Sequence, residues 1–408
     1  MTEIAILGYG TVGSGVAEVI GTNAELIAAR GCALHVKYIL DLRDFPGDPY
    51  GERVVHDFTC ILDDPEIKVI CETMGGVGAA YQFSKQALEK GISVCTSNKE
   101  LVELHGAELS RIAKENHCSY LFEASVGGGI PLIRTICQGL TAEKIEKIYG
   151  ILNGTTNYIL TKMDREGADF DAVLKEAQAN GYAEKDPTAD IEAHDPCRKI
   201  AILASLVTGK KVDWKNIRCE GITKLEKADF AYAWALDAQI KLVAMSEFTE
   251  KGCYACVSPR LLPADSPLLC AQDVFNAVLI HSNMLDDSLY YGRGAGKLAT
   301  ASAVVGDAIE AAANPGRTMG GSWSEEAALL GDIDEYEQGY FVRLSGAADA
   351  RREEVQKVFG NGYTVEAKGV PGEFGYVVQK MREGAFLEKI AAMEGVLGYL
   401  RYDAPAEK

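Results

Sequence analysis

The chain has no apolar run approaching the roughly 20 residues that cross a bilayer, so a membrane-spanning protein is not expected. It also lacks a basic surplus. With 41 Lys+Arg against 59 Asp+Glu the net charge is -18, which repels nucleic-acid phosphates and anionic lipid, so neither is expected as a partner. The first ten residues, MTEIAILGYG, lack the basic start and apolar core of a secretion signal, and a cytoplasmic protein is expected. A disulfide framework is missing too. The 11 cysteines are odd in number and scattered through apolar runs such as VICETM and ISVCTS, as suits reduced, buried thiols. Cys253 and Cys256 have CxxC spacing but no second ligand pair, so they are read as structural. Histidine is scarce, at 6 residues, and only His194 falls in a motif-like setting.

What is present is a folded composition, 47% hydrophobic and 25% charged, over 408 residues, enough for two or three domains. IAILGYGTVGSGVAEVI opens with a short strand, then Gly8, Gly10 and Gly13, then a helical pattern. A strand feeding a glycine turn and a helix N-terminus cradles a pyrophosphate, because unpaired backbone N–H groups and the helix dipole both face it. Thr11 and Val12 belong to this turn. The next strand, ALHVKYILD, ends at Asp41, where a carboxylate can accept from the ribose hydroxyls of NAD and repel the extra phosphate of NADP. The spacing from Gly13 exceeds the usual value of about 20 residues, and Lys37 and Arg43 stand near enough to serve a phosphate. NAD and NADP therefore both remain open.

Strands and helices then alternate: IKVICETM, AYQFSKQALEKG, ISVCTS, KELVELHGAELSRIAKENH and SYLFEASV. This alternation predicts a parallel doubly wound sheet with ligands at the carboxyl ends of its strands, where Ser97 and Lys99 of TSNKE fall. Beyond GGGIPLI the pattern changes. KIEKIYGILNGTTNYIL runs a strand into a turn and a helix, and DFDAVLKEAQANG is an amphipathic helix closed by Gly181.

The segment GYAEKDPTADIEAHDPCRKI crowds Glu184, Asp186, Asp190, Glu192 and Asp195 between Gly181 and Pro196. Asp195 is expected as the N-cap of the helix DPCRKIAILASLVTG, with Pro196 first inside it. Capping leaves Lys199, beside an apolar face, without a role. Oxidising an alcohol with a nicotinamide needs a group that moves the hydroxyl proton, and a lysine can do this. The loop's carboxylates can meet the ammonium of a zwitterionic amino acid. A solvated acidic loop that merely caps a helix is the competing reading.

Taken together, GYGTVGSGV, TSNKE, FEASVGGGIP, GILNGTTNYIL, GYAEKDPTADIEAHDPCRKIAIL and YYGRGAGKLATASAVVGD resemble the homoserine dehydrogenases, in family order over residues 1 to 315. The resemblance implies NAD(P)-dependent interconversion of L-homoserine and L-aspartate 4-semialdehyde, on the route to threonine, methionine and isoleucine. It implies that Lys199 transfers the proton and that Lys99 is a second lysine at the reacting oxygen. Glu184 and Asp190 would bind substrate, with Gly154 and Thr155 of the NGTT turn, while Asp195 orients the lysine. Gly8, Gly10, Thr11, Val12, Gly13, Asp41, Ser97, Lys99 and Gly296 would face the cofactor. FEASVGGGIP resembles the family's sodium or potassium loop, implying Glu123, Val126, Gly128 and Ile130 as oxygen ligands of a hard monovalent cation; a tight sheet-to-helix connection is the alternative.

The expected fold is α/β. Residues 1–135 form an N-terminal Rossmann-like doubly wound domain with a return segment at 291–315. Residues 136–312 form an α+β catalytic and dimerisation domain, 313–332 a linker, and 333–408 a small βαββαβ domain. The last resembles an ACT regulatory module, implying threonine as a feedback inhibitor, although SGAADARREE stands where such modules have a DxPG turn, which leaves a dimer-stabilising scaffold as the equal alternative. A homodimer or homotetramer is expected from the resemblance. Two rivals are weighed. An aspartate-semialdehyde dehydrogenase needs a catalytic cysteine with a histidine base, and Cys71, Cys95 and Cys137 have no evident partner. A non-catalytic nicotinamide sensor has no use for Lys99, Lys199 and the acidic loop together.

Overall fold

The computed structural model describes residues 1–319 and 323–403. Gly320 to Ser322, inside the segment read as a linker, and residues 404–408 of the expected tail domain lie outside the described residues. The chain divides into two compact units: residues 1–144, 201–213 and 292–328 form the first, and 145–200, 214–291 and 329–403 belong to the second.

The first unit is built on a six-stranded parallel sheet of β1 (Thr2–Leu7), β2 (Leu34–Leu40), β3 (Val54–Val55), β4 (Ile67–Glu72), β5 (Ser93–Thr96) and β6 (Tyr120–Leu121), in the order β3-β2-β1-β4-β5-β6. Strands covered on both faces read as unbroken apolar runs, and Ile4 to Leu7 and Val69 to Cys71 are fully buried. The order reverses between β1 and β4, so ligands are expected at the loops that follow those strands. Between strands run α1 (Thr11–Thr22), α2 (Gly78–Glu89) and α3 (Lys99–Glu115). The segment SYLFEASV is a strand only at Tyr120–Leu121, because Glu123–Ser125 turns into a short 3-10 helix. The helix Lys297–Ala313 returns to this unit and packs on α1, where a Cβ on Gly15 would lie 2.9 Å from the Lys297 carbonyl oxygen.

The second unit carries a ten-stranded sheet. Its core strand β7 (Ile145–Ile151) lies between β8 (Ala238–Thr249) and β10 (Phe275–Ser282), both antiparallel to it. Strand β9 (Gly252–Pro263) forms a long hairpin with β8, and β11 (Asp286–Arg293) closes one edge beside β10. Cys253 and Cys256 are buried free thiols on β9. Helices α4 (Gly154–Glu166) and α5 (His194–Thr208) follow β7 in the chain. The tail runs β12 (Glu337–Ser345), α6 (Ala348–Phe359), β13 (Gly362–Val365), β14 (Glu373–Arg382), α7 (Glu383–Ala392) and β15 (Val396–Tyr402). It does not start a separate sheet. Arg401 and Tyr402 of β15 pair in parallel with Arg260 and Leu261 of β9, so the tail strands extend the sheet of β7 to β11. Two apolar cores serve this sheet, one around Tyr149, Val243, Met245 and Leu268, the other around Tyr340, Val355, Phe374 and Phe386.

Candidate active site

In the first unit, Gly8 takes φ of +85°, open to glycine at little cost, and turns the chain from β1 towards α1. Gly13 permits the next approach, since a Cβ there would stand 1.9 Å from the Gly8 carbonyl oxygen. Gly10 is the N-cap residue of α1, so Thr11 and Val12 begin the helix with their N–H groups at its positive end. These backbone features fit a dinucleotide pyrophosphate.

Asp41 follows β2, and its carboxylate is already engaged. It accepts the Tyr9 N–H at 2.8 Å, inside the glycine turn, and the Arg43 guanidinium through two bonds of 3.0 Å. The guanidinium holds the Asp41 carboxyl well below the usual carboxylate range. Arg43 itself is exposed, and Lys37 is turned away into a pair with Asp64 and Glu66.

At the ends of β4 and β5 the structure adds a residue that sequence reasoning missed. Glu72 is fully buried, accepts the Met74 N–H at 2.7 Å and the Thr96 hydroxyl, and burial pushes its carboxyl up to about 7. Thr96 in turn accepts the Asn98 N–H at 2.9 Å, Ser97 N–H reaches the Glu72 carbonyl at 3.2 Å, and Asn98 caps α3 through Leu101 N–H at 3.1 Å. This network fixes Ser97 and the first helical residue, Lys99.

The FEASVGGGIP loop is tied down by a buried carboxylate. Glu123 accepts the N–H groups of Ile133 at 2.9 Å and Arg134 at 2.7 Å, while burial raises its carboxyl. Asp307, fully buried on the helix that starts after Gly296, accepts the Glu123 N–H at 2.8 Å and the Arg134 guanidinium at 2.7 Å. Burial, and next the Glu123 carboxylate, push Asp307 up to about 7. Gly129 N–H donates to the Arg293 carbonyl at 3.1 Å, joining this loop to the GRGAG turn that ends at Gly296. Val126 and Ile130 are buried in the same loop, and Gly128 takes a left-handed φ of +54°. The Ile130 carbonyl accepts the Leu132 N–H at 2.9 Å. A cation here would use the lone pairs these amides leave.

In the second unit, β7 leads through Leu152 to Asn153, the N-cap of α4, whose side chain accepts the Thr156 N–H at 2.8 Å. The Asn153 amide donates to Asp190 at 2.7 Å and to Asp195 at 2.8 Å. Lys199 Nζ donates to Asp195 Oδ2 at 2.7 Å and to the Leu152 carbonyl at 2.8 Å. Asn153, Asp195 and Lys199 are buried, and with the half-buried Asp190 they form one cluster. Burial pushes the Asp190 carboxyl up, against the Asn153 hydrogen bond, and the Asp195 charge adds to the rise. Thr155 anchors the same helix start to the Tyr182 carbonyl at 2.6 Å, and Gly154 lies beneath Val274, whose carbonyl oxygen would meet a Cβ at 2.8 Å.

One expectation is corrected. Asp195 is not the N-cap of α5, which begins at His194; it lies inside the first turn, and its carboxylate pairs with the Lys199 ammonium one turn on. Glu184 is exposed, on the turn after Gly181, outside the Asn153 cluster. Asn153, quoted in the sequence motif without a role, is the residue that binds the two carboxylates together. A second buried lysine, Lys241, donates to Asn157 at 2.9 Å and the Ala271 carbonyl at 3.0 Å, and burial pushes it down to about 8.

Among the described residues no helix is long and apolar enough to cross a membrane. Comparison with known proteins supplies the remaining findings. The family profile described as homoserine dehydrogenase matches residues 131–309, and the one described as homoserine dehydrogenase, NAD binding domain, matches residues 8–123. A homoserine dehydrogenase of Bacillus subtilis is 39% identical over 315 residues, which cover 75% of this chain and 72% of that protein. The crystal structure of a homoserine dehydrogenase from Thiobacillus denitrificans superposes with a TM-score of 0.89 at 31% identity, covering 98% of each chain. A hyperthermophilic archaeal homoserine dehydrogenase mutant in complex with NADPH gives 0.65 at 31% identity, covering 76% of this chain and 97% of that one.

Proposed function

From the membership of this chain in the homoserine dehydrogenase family, we infer that the Asn153–Asp190–Asp195–Lys199 cluster is where its substrate is held and deprotonated. The protein is an NAD(P)-dependent oxidoreductase that interconverts L-homoserine and L-aspartate 4-semialdehyde, a reaction of threonine, methionine and isoleucine biosynthesis. The alternative of a non-catalytic nicotinamide sensor is set aside.

When bound, the nicotinamide supplies the hydride acceptor. The rest is done by side chains. An ammonium has three N–H donors, and Lys199 uses two on Asp195 and the Leu152 carbonyl, which leaves one for the substrate oxygen. Lys199 is proposed to give that third proton to the carbonyl oxygen during reduction and, as the neutral amine that this leaves, to take the hydroxyl proton through its lone pair during oxidation, with Asp195 holding Nζ in place. Asp190 and Glu184 are proposed to receive the substrate ammonium. Gly154 and Thr155 are proposed to border the substrate, and Lys99 to supply a second ammonium to the reaction. Gly8, Gly10, Thr11, Val12, Gly13, Asp41, Ser97, Lys99 and Gly296 are proposed to line the cofactor. The single observation that carries this reading is the buried 2.7 Å pair of Lys199 and Asp195. Homoserine-dependent reduction of NAD or NADP tests it; no reduction with either cofactor overturns it.

Three finer proposals stand beside it. A sodium or potassium ion at Glu123, Val126, Gly128 and Ile130 is supported by the oxygen-rich turn, and exchanging those salts for tetramethylammonium should lower activity. The element order of the tail supports an ACT-like module, and a threonine titration separates a feedback sensor from a scaffold. A homodimer or homotetramer is supported by Leu289 and Tyr291, 41% and 49% exposed on the edge strand β11; sedimentation as a monomer would refute the oligomer, and a cytoplasmic location is proposed beside it.

A further inference from the structure

The acidic loop ends at Ala193, a fully buried residue with φ of +65°. A non-glycine residue in that region costs on the order of 1 to 3 kcal/mol and persists only where its surroundings hold it. What holds it is the segment Arg218 to Thr223. The Cys219 thiol donates to the Ala193 carbonyl at 3.2 Å, the Ile222 N–H donates to the Ile191 carbonyl at 2.9 Å, and the Thr223 hydroxyl donates to Glu192 at 3.1 Å. Gly221 lies so close that a Cβ on it would stand 2.1 Å from the Ile191 oxygen. Residues 191–193 connect Asp190 to Asp195, so this segment is the backing of the proton-transfer cluster.

The same segment faces the tail with its other side. Arg218 and Cys219 form a short strand parallel to β9, and side chains alternate along a strand, so Arg218 and Glu220 point away from Cys219. Glu220 meets Arg401 of β15 in a two-pronged pair, Nη1 to Oε2 at 2.8 Å and Nη2 to Oε1 at 2.7 Å. Arg401 is 1% exposed, and its Nε also reaches Glu383 at 3.2 Å. Arg218 pairs with Glu383 at 3.2 Å and Asp334 at 2.7 Å. Paired guanidinium and carboxylate forks fix both position and orientation. Beside them, the backbone anchor of Glu220 is its N–H to the Val257 carbonyl at 2.8 Å.

We propose that Glu220, locked by Arg401 of the last strand, is a positioning residue for homoserine oxidation, so that the C-terminal tail is a working part of the catalytic machinery. The path is short: Arg401 fixes Glu220, its neighbours Cys219 and Gly221 fix residues 191–193, and these set Asp190 and Asp195 against Asn153 and Lys199. The proposal rests on the reading of Lys199 as the proton carrier.

The test compares Glu220→Gln, Arg401→Gln and the double variant of the full chain, each assayed well below its own melting temperature. Coupled neighbours give less-than-additive losses, so kcat is expected to fall roughly tenfold in each single variant and no further in the double, with NADP dissociation constants unchanged. Arg343→Gln is the control. Arg343 anchors the tail equally deeply, to Asp229 at 2.9 Å, Glu226 at 2.9 Å and Glu373 at 3.2 Å, none of them in the backing segment. It should lower the melting temperature and leave kcat in place. Unchanged kcat in Glu220→Gln, additive losses in the double variant, or an equal kcat loss in Arg343→Gln overturns the proposal. Glu220 is one-third exposed, so Glu220→Gln decides the matter even if the Arg401 variants do not fold. Full turnover in Lys199→Ala would instead sink the reading beneath it, whereas an inactive Lys199→Ala with a normal Glu220→Gln sinks this proposal alone.

Discussion

Lys199 Nζ and Asp195 Oδ2 are 2.7 Å apart, one helical turn from each other, with side chains 11% and 7% exposed. A pair this enclosed cannot drift, because breaking it leaves an uncompensated charge in a poorly solvated place. The carboxylate therefore fixes where the amine can reach, and the Leu152 carbonyl fixes it from the other side.

Removing the amine should abolish the proton transfer and, by leaving the Asp195 carboxylate uncompensated, lower stability, while the cofactor's glycine turn is untouched. Lys199→Ala is expected to lower kcat by about 100- to 10,000-fold, the usual worth of a positioned acid–base group. Cofactor affinity should stay within about twofold, since the glycine turn is not altered; a fluorescence titration with NADPH checks this. Turnover close to that of the unaltered protein would remove Lys199 from the mechanism.

Asn153 serves two carboxylates and a helix start, so Asn153→Ala loses four side-chain hydrogen bonds at once. Loss of the cap and of buried hydrogen bonds should cost about 1 to 3 kcal/mol of stability. Asp190 and Asp195 would then repel each other without a shared donor, and the KM for homoserine should rise. Urea denaturation and steady-state kinetics read the two effects separately. An unaltered KM would mean that Asp190 does not meet the substrate.

Much of this was legible in the sequence where one local rule dominates. The glycine turn after β1 and the alternation of strand and helix to Glu115 each follow from short-range sterics and burial. The pairing of Lys199 with Asp195 came from the family resemblance, and the i, i+4 spacing of the helix agrees with it. The cap role of Asp195 failed because the helix begins one residue earlier, at His194, and local sequence does not fix a helix boundary to a single residue. Residues 219–222 were not legible at all. Their contacts to Ile191, Ala193 and Arg401 are set by tertiary packing, and no period or motif in CEGI announces them. Asp307 and Glu72 were missed because burial, which moves their carboxyls, is not written in the residues beside them.

Asp41 and Arg43 make a prediction about cofactor choice. The guanidinium now covers the carboxylate that would otherwise repel a 2′-phosphate, and it is itself exposed. Arg43→Ala should weaken NADP by roughly tenfold or more, the worth of a charge-assisted contact, and change NAD less. Cofactor titrations of both proteins decide it. Equal losses for the two cofactors would show that Arg43 only steadies the Asp41 turn.

Buried acids should make the protein less stable as the pH rises. Asp307 and Glu72 are each pushed up to about 7, above their unfolded values near 4, so between those limits the folded chain holds more protons than the unfolded chain. Stability is then greatest below about pH 4 to 5 as far as these two groups decide it, and is lost as pH climbs to 7. For Asp307 alone, a rise of about three units corresponds to roughly 4 kcal/mol. Asp41 works the other way but in a different window, because its lowered carboxyl withdraws stability only as the pH falls below its unfolded value. Scanning calorimetry from pH 5 to 8 should therefore show a falling melting temperature, and Asp307→Asn, which cannot titrate, should flatten the fall. A melting temperature that climbs across that range would mean that Arg134, 2.7 Å from Asp307, already holds the carboxylate ionised in the folded chain.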